Sequence, residues 1–171
     1  MKTFRWSLFS AFLFALSVSV HAGVGVGTSL FEKGRTRMTL SAGTGTSFNN
    51  SYLRIGVGAG YFVAPGLELG LDGEAWTGAS PAIYQYSPGI RYVYPHGERM
   101  WPYIGAFFRR TIYEDNPDLS SLGGRAGVYT SLGGKAYAGV GGIYESYMDC
   151  DSTRYSTCSE VRPEVFVGVS F

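Results

Sequence analysis

The chain predicts an all-β fold, an eight-stranded antiparallel up-and-down transmembrane β-barrel, on three observations. Segments of alternating apolar and polar residues recur about every 10 to 14 residues, with turn signals between them. The composition joins 16% aromatic residues and 25 glycines to an ordinary hydrophobic fraction, a mixture that suits a barrel crossing a membrane with strands. The last stretch places Val161, Val165, Val167, Val169 and Phe171 on one face and Glu160, Arg162, Glu164, Phe166, Gly168 and Ser170 on the other. Such a stave predicts an apolar face toward lipid and a polar face toward a closed interior.

The 171 residues suffice for one domain and fall short of two. Residues 1–22 read as a cleaved secretory signal: Lys2 and Arg5, an apolar run from Leu8 to Val20, and an A-x-A-like end at Val20-His21-Ala22. The run is short of the roughly 20 residues that a membrane helix needs. Cleavage after Ala22 removes two of the 14 basic residues and none of the 13 acidic ones, leaving a net charge of about −1. Such a balance argues against nucleic acid as a partner. Residues 23–171 are then one barrel domain. The segment Gly23 to Gly34 is either a lead-in or an extension of the first strand; composition does not decide.

The first strand is expected over Thr36–Gly45, with Met38, Leu40 and Ala42 outward and Arg37 inward. A turn at Phe48–Ser51 leads to Tyr52–Phe62, whose Leu53, Ile55 and Val57 oppose Arg54 and three glycines. Ala64-Pro65-Gly66 is a tight turn. Leu67–Trp76 then sets Leu67, Leu69 and Leu71 against Glu68, Asp72 and Glu74. After a loop at Thr77–Pro81, Ala82–Tyr94 carries four outward tyrosines and inward Arg91, with Pro88 as a bulge or weak point. In Trp101–Tyr113 the adjacent Arg109 and Arg110 must point opposite ways. Placing Ile104, Ala106, Phe108 and Ile112 outward leaves Arg110 outward, where it can snorkel at an interface.

Beyond the polar Glu114–Ser120, Ser121–Leu132 turns Arg125 inward, and Gly133-Gly134 makes a hairpin turn into Lys135–Tyr147, with Glu145 inward. Met148–Ser159 is the longest loop and holds both cysteines, and Val161–Phe171 closes the series. Connections alternate between longer polar loops and tight turns, the rule for barrels with short periplasmic and longer outer connections. An even strand count puts both termini on the periplasmic side.

These segments resemble a family. Gly56 to Asp72 (GVGAGYFVAPGLELGLD) is similar to the strand–turn–strand hallmark of the small outer-membrane β-barrel domains that include OmpX and the OmpA barrel. Ser87–Tyr94 with Trp101–Phe108 resembles their central hairpin. Val165, Val167, Val169 and Phe171 resemble the terminal signal such proteins present to the barrel-assembly machinery. The resemblance implies a Gram-negative outer-membrane location, among lipid and lipopolysaccharide, more firmly than it implies a job.

Chemistry is expected chiefly inside. Arg37, Arg54, Glu68, Asp72, Glu74, Arg91, Arg125, Glu145, Arg162 and Glu164 form an interior charge network. Eight strands leave an interior just wide enough for side chains, so the network reads either as a plug of ion pairs or as a narrow gated path, and a wide pore is excluded. Glu68, Asp72 and Glu74 read as partners of inward arginines rather than as an acid pair or cation site, and no His/Cys spacing suggests a metal centre or another cofactor.

Small-barrel lipid enzymes rely on His with Ser; His21 leaves with the signal and His96 falls in a turn expected on the wrong side, so no enzyme is expected. Cys150 and Cys158 admit one pairing, a disulfide worth about 2.5 kcal/mol. It would stiffen a loop bearing Asp149, Asp151, Arg154 and Tyr155, either a solvated loop pinned against proteolysis or a pre-ordered surface for a host, phage or neighbouring-protein partner. Tyr61, Tyr84, Tyr86, Tyr92, Tyr94, Trp101, Tyr103, Tyr113 and Tyr144 are expected to form interfacial girdles. The leading role is structural or surface interaction; the alternatives are transport, by a narrow pore or by passage of a small apolar molecule through the wall, and a soluble lipocalin-like barrel with inverted faces.

Overall fold

The computed structural model describes residues 30–94, 99–114, 117–148, 150 and 158–171. The signal segment, His96, Asp149, Asp151, Arg154 and Tyr155 lie outside the described residues. Eight strands follow in order: β1 (Thr36–Ser47), β2 (Asn50–Ala64), β3 (Leu67–Thr77), β4 (Ile83–Val93), β5 (Met100–Tyr113), β6 (Leu119–Gly133), β7 (Ala136–Tyr147) and β8 (Ser159–Ser170). Each pairs antiparallel with the next, and β8 returns to β1, so the sheet closes.

Turn chemistry sets several hairpins. Phe48 and Asn49 both take positive φ, 49° and 60°, and Ser47 pairs with Asn50. That is a two-residue primed turn, two residues shorter than the turn expected at Phe48–Ser51. Gly66, at φ 74°, follows Pro65, and a Cβ there would strike the Val93 carbonyl, so glycine is required. The β6–β7 turn sits one residue later than expected, at 134–135. Pro88 shifts no register: β4–β5 pairing passes from Tyr86↔Arg110 to Gly89↔Phe107, skipping the two positions around the proline. It is a gap in one ladder rather than a bulge, because the ring removes a donor without adding a residue.

Outward positions form an apolar wall. Val161, Ile104 and Val57 are 77%, 64% and 63% exposed, and Leu40, Leu71 and Val165 lie on the same surface. An apolar surface this extensive belongs in lipid, not water. The inward face carries the charges, opposite to the lipocalin-like alternative. Among the described residues, Arg110 is the one charged side chain at an outward strand position; it donates to Ser120 Oγ at 2.8 Å and Asp118 Oδ2 at 3.0 Å. Tyr61, Tyr84, Tyr86, Tyr92, Tyr94 and Tyr144 are exposed on the wall. Tyr103, Trp101 and Tyr113 are not in the girdle. They fall on the inward parity of β5, with Tyr103 buried and the other two packed against interior clusters, because alternation outranks aromatic character in setting direction.

Two interior clusters bracket the charges. At the end where β1 begins and β8 stops, Phe31, Phe62, Val93, Tyr103, Tyr129, Tyr137 and Phe166 are buried together. Phe31 comes from the described part of the lead-in, residues 30–34, which turn into the barrel end instead of extending β1, and Phe31 O accepts from Gly66 N–H at 2.8 Å. Two glycines make room for rings: Gly123 lies opposite Phe107 and Gly139 opposite Phe166, and a Cβ at either would collide with the ring. At the other end Tyr52, Trp76 and Ile83 form the second cluster.

The closing seam is short. β1 meets β8 from Arg37↔Ser170 to Ser41↔Phe166, and the pairing goes no further although both strands continue. Phe171 follows β8, half-buried, with its N–H donating to Thr36 O at 3.0 Å and its O accepting from Thr36 N–H at 2.8 Å. Val161, Val165, Val167 and Val169 are exposed on the wall.

Candidate functional site: the barrel interior

Alternation brings six arginines and six carboxylates to inward positions, in tiers between the two aromatic clusters. The lowest tier is anchored on Glu68, 1% exposed, whose Oε1 accepts from Arg37 Nε at 2.7 Å. Arg91 lies 3.9 Å from the other Glu68 oxygen and donates to the Tyr129 hydroxyl at 2.7 Å. Asp72, two inward positions further along β3, faces three guanidiniums: Arg125 at 2.8 Å, Arg37 at 3.5 Å and Arg91 at 3.7 Å. Glu164 accepts from the Tyr103 hydroxyl at 2.7 Å and lies 3.5 Å from Arg125.

The middle tier centres on Glu145. Its Oε2 pairs with Arg109 and lies 3.4 Å from Arg162, while Oε1 accepts from Ser121 at 2.5 Å. Arg109 Nε also donates to Ser87 at 2.8 Å. In the upper tier Arg54 holds Glu74 at 3.0 and 3.3 Å, Trp76 Nε1 donates to Glu74 at 2.6 Å, and the Arg54 guanidinium lies 5.1 Å from the Trp76 ring centroid. Tyr147 donates to Glu160 at 2.8 Å nearby.

The ten residues expected inward thus all lie on the inward face, in three groups of ion pairs. Two members escape a list built strand by strand. Arg109 follows from turning Arg110 outward, and Glu160 shares a face with Arg162 and Glu164; parity was the signal for both. Phe31 has no such signal, since a single aromatic in a Gly-rich lead-in carries no periodicity.

The chemistry of this interior is mutual neutralisation. Taking such charges from water costs several kcal/mol each, offset only where partners and hydrogen bonds are in place. Removing one partner leaves a buried charge, so each tier behaves as a unit. Glu68, Asp72 and Glu74 each face a guanidinium, which suits pairing rather than joint general acid–base work. A cavity of about 270 Å³ remains between the tiers, with Arg37, Asp72, Arg91 and Arg125 below and Arg54 and Glu74 above. Below that floor, Phe31, Phe62, Tyr129 and Tyr137 pack together, each at most 1% exposed. Cys150 and Cys158 form the disulfide in the β7–β8 connection, and no other described cysteine exists.

No protein-family model and no curated protein matches the chain by sequence. Solved structures match by shape. The N-terminal β-barrel domain of Pseudomonas aeruginosa OprF is similar at TM-score 0.64 and 15% identity, over 81% of this chain and 98% of that one. Neisserial surface protein A is similar at 0.52 and 18%, over 80% and 94%. The outer membrane protein OprG from Pseudomonas aeruginosa is similar at 0.52 and 14%, over 84% and 99%. At these identities the shared property is architecture: the chain has the fold of the small eight-stranded transmembrane barrels found among outer-membrane proteins.

Proposed function

We propose that this chain is a Gram-negative outer-membrane barrel with a structural or surface-interaction role, its interior closed to through-flow. The observation that carries the reading is the double closure below the cavity: a buried aromatic cluster set directly under a network of ion pairs. With the lumen filled, the wall and the outer connections are left to do the work. The disulfide between Cys150 and Cys158 supports the outer β7–β8 connection as the contact surface, because pre-ordering a loop lowers the entropy cost of binding. Lipid and lipopolysaccharide contact the apolar wall, and Val165, Val167, Val169 and Phe171 serve as the signal to the assembly machinery. The role is one of binding rather than catalysis.

Planar-bilayer recording of the refolded barrel tests this. No steady openings are expected; steady conductance altered by Arg125→Gln or Glu164→Gln would replace the plug with the narrow-pore alternative.

A further inference from the structure

The incomplete seam and the interior cavity are one feature. Ser170 N–H donates to Lys135 O at 3.0 Å, on the β7 side, whereas Phe171 exchanges both backbone bonds with Thr36 on the β1 side. Odd-numbered residues of β8 therefore turn their backbone groups toward β1. Pro163 is one of them, and it has no N–H to offer on that edge. The registered pairing duly ends at Ser41↔Phe166, leaving Ala42 to Ser47 of β1 and Ser159 to Val165 of β8 facing each other without a ladder.

The cavity reaches the wall at this gap. Its lining joins inward Asp72, Arg91 and Arg125 to outward Ala42, Pro163 and Val165. Outward Val57 lines it too, but from a strand laddered on both sides, so the one opening between strands on its lining is the unpaired stretch of β1 and β8. Five guanidiniums line the cavity against the carboxylates of Asp72, Glu74 and Glu164. Glu68 and Glu145, which balance the rest, are 1% exposed and do not line it. Arg91, 5% exposed, also has a buried Nε with no acceptor.

We propose that the β1–β8 window binds an anionic amphiphile: a carboxylate or phosphate head on the arginines of the cavity, and an acyl tail passing out between Ala42 and Val165 onto the lipid-facing wall. A volume of about 270 Å³ admits a headgroup and not a whole lipid. Charge-assisted hydrogen bonds from guanidinium to an oxyanion select the head, and the apolar wall selects the tail.

The test uses the full mature chain refolded in a nonionic detergent. [1-¹³C]Laurate and dodecyl phosphate are titrated, observed by ¹³C and ³¹P NMR, beside acetate and inorganic phosphate, which lack the tail, and dodecyltrimethylammonium, which lacks the anionic head. Saturable binding of the two tailed anions, at least tenfold tighter than the other three probes, is expected. The blocking variant is Gly43→Leu: Gly43 points inward at the window, and an added Cβ meets nothing within 4 Å. It should weaken laurate at least tenfold while the barrel keeps its heat-modifiable gel mobility.

Should Gly43→Leu fail to fold, Thr44→Cys with Pro163→Cys, partners if the seam register were extended, replaces it, with binding lost on oxidation and restored by reductant. Equal binding of acetate and phosphate would overturn the window in favour of a free-anion site. Equal binding of the ammonium probe, or laurate binding untouched by both blocks, would overturn the proposal outright.

Discussion

The Arg91 guanidinium donates to the Tyr129 hydroxyl at 2.7 Å, and this bond joins the charged tiers to the aromatic cluster beneath them. Tyr129 is fully buried, stacked on Tyr103 with ring centroids 4.6 Å apart and on Phe31 at 5.3 Å. Tyr129→Phe keeps the stacking and deletes the acceptor. A loss of about 1–3 kcal/mol is expected, the cost of stranding part of a buried charged group, read from urea unfolding in detergent micelles.

Glu145 is the shared partner of Arg109 and Arg162. Glu145→Ala should cost about 3–5 kcal/mol, because two buried guanidiniums lose their carboxylate together. The double variant Arg109→Met/Glu145→Leu should cost less than the sum of the two single changes. The double-mutant cycle, run as midpoint temperatures of the heat-modifiable gel shift, measures that coupling; simple additivity would mean the pair does not interact.

Phe31 joins the aromatic cluster from outside the strand series. Phe31→Ala should lower stability by about 3–5 kcal/mol through the cavity it leaves. Because the lowest-tier ion pairs above it remain, the bilayer should stay silent. Conductance appearing in this variant would show that the aromatic cluster alone is the seal.

On the wall, Leu71 is 53% exposed in the middle of β3. Leu71→Arg should destabilise folding into bilayers by about 2–4 kcal/mol, the cost of a cation near the midplane. Arg110, near the far end of β5 and bound to Asp118 and Ser120, should tolerate Arg110→Lys with a change under about 1 kcal/mol. Equal penalties at the two positions would misplace the membrane band.

Strand number, order and facing were legible along the chain. Period-two alternation is local, so Leu67–Trp76 announces both of its faces without reference to any other strand. The same parity assigns Arg109 and Arg110 to opposite sides and sends Tyr103 inward, against the expectation that a strand-end tyrosine joins a girdle. Turn details were less legible. Phe48–Asn49 makes a two-residue turn with Phe48 at positive φ, a position where glycine or asparagine is the usual signal.

By itself, then, the sequence determined which side chains look in and which look out, because that is decided residue by residue by the pleat. Only the tertiary structure decided who meets whom: Arg37 with Glu68 across 31 residues and Arg125 with Asp72 across 53, since partners depend on how strands are staggered. It alone decided that Phe31 packs into the aromatic cluster at one end and that β8 joins β1 over only part of its length. Closure brings together strands from opposite ends of the chain, and a local pattern holds no record of where such a seam stops.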